Sequence, residues 1–123
     1  MQGYTVVDVT GDELESAYAL VRAADPEIGR NDWLERVGGS GGVLGLRGSD
    51  GTLCGVLVYR KQQMQRHGPT LAIDSVVTFE LARLGSGRRK LMEAALAMAE
   101  RLECAAVASH DRPPVGRPAS FGP

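Results

Sequence analysis

Three features of this 123-residue chain predict an α/β (α+β) domain built on a mixed, mostly antiparallel sheet flanked by helices. The first is an apolar run, Leu71-Ala72-Ile73-Asp74-Ser75-Val76-Val77-Thr78, joined by an amphipathic helix to a second apolar run, Cys104 to Ser109. Strand, helix and strand at this length form a right-handed crossover, so the last strand lies parallel to a neighbour. The second is a pair of β-rich runs, Val43 to Leu46 and Leu53 to Tyr59, on either side of Gly48-Ser49-Asp50-Gly51, which reads as a hairpin. The third is a pair of short helical patterns within the first 37 residues.

Taken in order, Tyr4 to Val9 is a strand by its β-branched content. Thr10-Gly11-Asp12-Glu13 has the spacing of a capping box, with Thr10 at N-cap and Glu13 at N3. The helix it starts carries Leu14, Ala17, Tyr18 and Val21 on one face and stops at Asp25-Pro26. A second helix runs from Asn31, as N-cap, through Val37, with Trp33, Leu34 and Val37 as its buried side. The Gly38–Gly42 stretch ends it. Arg60 to Gly68 is polar, either a loop or the outer part of a longer hairpin. Thr70 to Thr78 is almost continuously apolar and predicts a central strand covered on both faces. From Arg88 to Leu102, Leu91, Ala95, Met98 and Leu102 make one helical stripe. Residues 111–123 are a Pro/Gly-rich tail, read as loop, to a single domain spanning 1–123.

The net charge is −1, with acidic and basic residues interspersed, which excludes a general nucleic-acid footprint. There is no apolar stretch of membrane-spanning length, and Met1-Gln2-Gly3-Tyr4 does not open a signal peptide. Cys54 and Cys104 both lie in apolar strand-like runs and read as buried free thiols, which predicts a cytoplasmic protein. His67 has no ligand partner nearby, so no metal site is predicted.

The chemistry concentrates at the corner Arg83-Leu84-Gly85-Ser86-Gly87-Arg88-Arg89-Lys90, between the central strand and the long helix. Glycines let the backbone approach an anion, and the free N–H groups of a helix start point at it. The spacing is neither a P-loop nor G-x-G-x-x-G. Arg88, Arg89 and Lys90 oppose the helix dipole unless an anion sits there, which favours a phosphate site over a merely solvated first turn.

Asp74-Ser75-Val76-Val77-Thr78, Arg83 and Arg89-Lys90-Leu91-Met92 together resemble the acetyl-CoA-binding core of the GNAT superfamily of N-acetyltransferases, over Tyr4 to about His110. Against the pattern Arg/Gln-x-x-Gly-x-Gly/Ala, Ser86 and Arg88 occupy the glycine places and Gly85 and Gly87 stand one position early. The resemblance implies a GNAT-like fold whose C-terminal helix and closing strands are missing. It implies acetyl-CoA as cosubstrate, held by Val76, Val77, Thr78, Arg83, Gly85, Ser86, Gly87, Arg88 and Arg89. It implies acetyl transfer to an amine on a small molecule or peptide, with Asp74 as the proton acceptor or as an orienting carboxylate. Glu80 reads as a solvated charge and His110-Asp111 as a loop pair. The acid role filled in the family by a C-terminal tyrosine has no candidate after Tyr59. Two further readings stand beside this one. One is a non-catalytic module that pairs with a second copy through the open edge of the last strand. The other is a small-anion or nucleotide binder using the corner alone.

Overall fold

A computed structural model describes residues 4–39, 41–66, 68–79, 86–109 and 112–116. The elements are β1 (Thr5–Asp8), α1 (Glu13–Ala24), α2 (Arg30–Val37), β2 (Gly41–Arg47), β3 (Leu53–Met64), β4 (Gly68–Thr78), α3 (Ser86–Arg101), β5 (Ala106–Ser109) and β6 (Arg112–Gly116). Among the described residues, six strands form one sheet in the order β1-β2-β3-β4-β5-β6. Every neighbouring pair is antiparallel except β4 and β5, which are parallel as the crossover requires.

The alternation of side chains across the strands divides the core in two. Leu44, Leu46, Leu57, Tyr59, Leu71 and Ile73 face α3 and pack on Leu91, Ala95, Met98 and Ala99. Val43, Val56 and Val58 face the other way, onto Ala17, Tyr18 and Val21 of α1 and Trp33 of α2. The central strand is therefore covered on both faces. Glycine makes close strand contact possible at Gly45, where a Cβ would stand 2.5 Å from Val9 Cγ2 and 2.6 Å from Leu53 Cδ1.

Several local expectations change. The capping box does not form: Asp12 is the N-cap of α1 and makes no side-chain cap bond. Gly11, at φ +60°, turns the chain early, so the carbonyl of Thr10 accepts the Glu13 N–H and its hydroxyl is not at the cap. α2 starts two residues sooner than expected, with Gly29 instead of Asn31 as its cap. Trp33 is buried as predicted, but Leu34 is 56% exposed. Arg60 to Met64 continue β3, so the longer hairpin is the correct alternative. β5 starts at Ala106 because Cys104 still closes α3, its N–H donating to Ala99 O at 2.8 Å. Residues 112–116, expected as loop, form β6 antiparallel to β5. Two prolines are compatible with this strand because it lies at the sheet edge. The edge expected to be open on β5 is therefore covered by β6. Cys54 is half-buried and Cys104 buried, and neither is in a disulfide. Among the described residues, no helix is long and apolar enough to cross a membrane.

Candidate active site

The site begins where the pairing of β4 with β5 ends among the described residues. That pairing runs from Thr70 with Ala106 to Ile73 with Ser109, the last residue of β5, whereas β4 continues to Thr78 with β3 as its partner. A bulge stands just beyond the end of that pairing. Tyr59 pairs with Ile73 and Val58 with Ser75, so Asp74 is an extra residue in β4.

The bulge decides which backbone groups face the gap. Phe79 N–H donates to Cys54 O at 2.8 Å, which makes this a hydrogen-bonded position of the β3–β4 ladder. Stepping back by two along an antiparallel ladder, Val77 bonds to Val56 and Ser75 to Val58. The N–H and C=O groups of Val76 and Thr78 therefore point away from β3, into the gap beyond β5. Among the described residues no backbone partner meets them. Val77, expected alongside them, turns its backbone to β3 and its side chain to the α1–α2 core.

Side chains divide in the same way. Val76 packs toward α3, while Asp74 and Ser75 lie on the α1–α2 face. Arg36, near the C-terminal end of α2, donates from Nη1 to Ser75 Oγ at 3.2 Å. Arg60 of β3 brings Nε to 3.5 Å from Asp74 Oδ2, within ion-pair range but longer than a well-formed hydrogen bond. The Asp74 side chain is only 12% exposed, and its Oδ2 is fully buried without a hydrogen-bond partner among the described residues. A buried carboxylate oxygen in this condition is costly unless a donor reaches it. Gly41 lets the two arginines come close: a Cβ there would lie 2.6 Å from Tyr59 O, 3.1 Å from Arg36 O and 3.2 Å from Arg60 Cβ.

At the far end of β4, the helix α3 begins at Ser86. Gly87 is buried, Arg88, Arg89 and Lys90 are exposed, and the first turn carries no acidic residue. Lys90 donates from Nζ to Tyr4 O at 2.9 Å, so it is tied to the strand end rather than turned to the corner. The remaining corner candidates, Arg83 and Gly85, lie outside the described residues, as do Glu80, His67, His110 and Asp111.

Tyr59 lies on the α3 face, in the core, with its hydroxyl over Gly42. Burial holds its phenol above the ordinary value, and Asp8 pushes in the same direction, so it stays protonated. It is on the opposite face from Asp74. Sequence reasoning missed Arg36 and Arg60, because only the packing of α2 and the strand register bring them to Asp74 and Ser75. No cluster of metal-ligating side chains occurs among the described residues.

The sequence matches no family model and no curated protein. Solved structures do match. The aminoglycoside N-acetyltransferase AAC(6')-Iy, crystallised with CoA, gives a TM-score of 0.78 at 14% identity, over 92% of this chain and 80% of its own. The aminoglycoside 6'-N-acetyltransferase AAC(6')-Ih from Acinetobacter baumannii gives 0.75 at 13% identity, over 89% and 80%. A GCN5-related glucosamine N-acetyltransferase region of a fungal multi-domain protein gives 0.71 at 14% identity, over 92% of this chain and 14% of that one. The chain thus shares its overall fold with these proteins across long sequence distances, and that fold is the one of the GNAT N-acetyltransferases.

Proposed function

We propose that this protein is an acetyl-CoA-dependent N-acetyltransferase acting on an amine. The observation that carries the reading is that β4 runs on to Thr78 past its last described pair with β5, with the peptide groups of Val76 and Thr78 turned to that side. The gap suits CoA by chemistry. A pantetheine arm is a chain of amides, the natural partner for unpaired strand backbone. The phosphates suit a helix start with exposed Arg88 and Arg89 and no acidic residue. Arg83, Gly85, Ser86 and Gly87 complete the cradle in this reading. One neighbour of the same fold, AAC(6')-Iy, was crystallised both with CoA and with a CoA-linked bisubstrate analogue.

Bound acetyl-CoA supplies an acetyl group activated as a thioester. The chain's own work is to hold that group along β4 and to take a proton from the incoming ammonium. Asp74 is assigned the second task. Apart from the 3.5 Å approach of Arg60 Nε, its Oδ2 has no hydrogen-bond partner among the described residues, so it has an acceptor position for an ammonium N–H. Tyr59, on the opposite face, is not assigned as the acid. A cytoplasmic setting and pairing of two copies belong to this reading as expectations, checked by fractionation and native mass.

Calorimetric titration with acetyl-CoA, with CoA as control, tests the proposal. Micromolar binding supports it. No binding at millimolar ligand refutes it and turns the search to a non-catalytic role in protein contact.

A further inference from the structure

The acceptor side of the gap carries an arrangement that narrows the kind of amine. We infer that the acceptor bears an acid group, a carboxylate or a phosphate, close to the amine that is acetylated; this inference rests on the acetyltransferase reading above.

Helix α3 lies against β1 through β5 and closes its own sheet face. With Asp74 as the proton acceptor, the amine is met on the α1–α2 face, where Asp74, Ser75, Arg36 and Arg60 meet. These residues hold two guanidinium charges against one carboxylate. Asp74 offsets one of them, and the local balance remains positive. Arg36 uses one N–H on Ser75 Oγ, and Arg60 has only the 3.5 Å approach of Nε to Asp74. Among the described residues their other guanidinium donors meet no protein acceptor. Asp32 and Glu35, the acidic residues of α2, are exposed, and neither is bonded to these arginines.

A guanidinium fork is matched by a two-oxygen acid, and the match is stronger when water is partly excluded. An ammonium beside an acid group would then place its N–H on Asp74 and its acid oxygens on Arg36 and Arg60. A polycationic amine meets the reverse situation, since two arginines flank the one carboxylate it needs and like charges repel at short range. The aminoglycoside acetyltransferases share the fold, but this rim has the wrong sign for such a substrate. The exposed Leu34 and Phe79 add no charge to the balance.

The test uses the whole protein and three acceptor sets with acetyl-CoA: free amino acids, phosphorylated amino sugars, and aminoglycosides. Each acid-bearing amine is paired with its neutral methyl ester or dephosphorylated form. Thiol release reads turnover, and calorimetry on the CoA-bound protein reads acceptor binding without turnover. The expected result is binding and turnover of an acid-bearing set, with a loss of roughly ten- to a hundred-fold in kcat/KM when the acid is masked. The carboxylate and phosphate sets tell the two sources of acid apart. Arg60→Gln, at a half-exposed position, should remove most of the difference between acid and ester while circular dichroism stays unchanged.

Acetyl-CoA binding together with preference for aminoglycosides, equal use of acid and ester, or no binding of either acid set would overturn the inference and leave the acetyltransferase reading standing. Failure to bind acetyl-CoA at all would instead remove the reading on which it rests.

Discussion

Replacing Arg89 by glutamine should make the free protein more stable and a poorer CoA binder. α3 opens with exposed Arg88 and Arg89 and has no acid in its first turn, so positive charge stands at the positive end of the dipole. Each such charge costs about 0.3–1 kcal/mol at low ionic strength. Unfolding entropy of about 2.1 cal/mol/K per residue, over 123 residues, comes to about 0.26 kcal/mol/K. Arg89→Gln should therefore raise Tm by about 1–4 °C at low salt, and the gain should shrink as salt screens the dipole. CoA is expected to bind about ten- to a hundred-fold more weakly, because a charge-assisted bond to phosphate is lost. Acetyl-pantetheine, which has no phosphate, should bind unchanged. Thermal scans at two salt concentrations and calorimetry with both thioesters read all three effects. A fall in Tm, or equal weakening for CoA and acetyl-pantetheine, would refute the assignment of this helix start to phosphate.

Three other perturbations follow from the same geometry. Gly41→Ala puts a methyl group 2.6 Å from Tyr59 O, and overpacking of this kind costs about 1–3 kcal/mol, a fall in Tm of about 4–12 °C; an unchanged melting curve would mean that β2 and β3 are not so closely seated. Val77→Pro removes an N–H bonded to β3, whereas Val76→Pro removes one that faces the gap. In urea titrations the first should be the less stable by about 1 kcal/mol or more, while the second loses acetyl-CoA binding; the opposite order would contradict the assigned ladder phase. Asp74→Asn should lower kcat by about a hundred-fold or more with acetyl-CoA affinity kept, and retention of kcat would remove Asp74 as proton acceptor.

Much of this fold can be read without coordinates because its long elements are strongly patterned. Leu91, Ala95 and Met98 are buried on α3 as their spacing requires, and the β4–β5 crossover follows from strand, helix and strand. The features that make the site are the ones pattern does not reveal. With both faces of β4 covered, Val76 and Val77 are both apolar, so the break in alternation at Asp74 leaves no mark in the sequence. Arg36 and Arg60 lie in polar stretches that read as solvated, and their relation to Asp74 exists only through tertiary packing. The polar run after Tyr59 hid the outer part of β3, since Arg60 to Gln63 are exposed and no apolar alternation marks their pairing with β4. Leu34 fits the helical stripe but falls outside it once α2 is rotated to bury Trp33.

The extra residue at position 74 has a consequence for the chemistry of the strand. Deleting it would leave Ser75 on Val58 and Val77 on Val56, with Val76 and Thr78 still turned away from β3, because β3 sets the phase of that ladder. What would be lost is the place where two successive side chains, Asp74 and Ser75, lie on one face of the sheet. Strict alternation forbids such a pair, and one inserted amino acid is enough to bring a carboxylate and a hydroxyl to the same side.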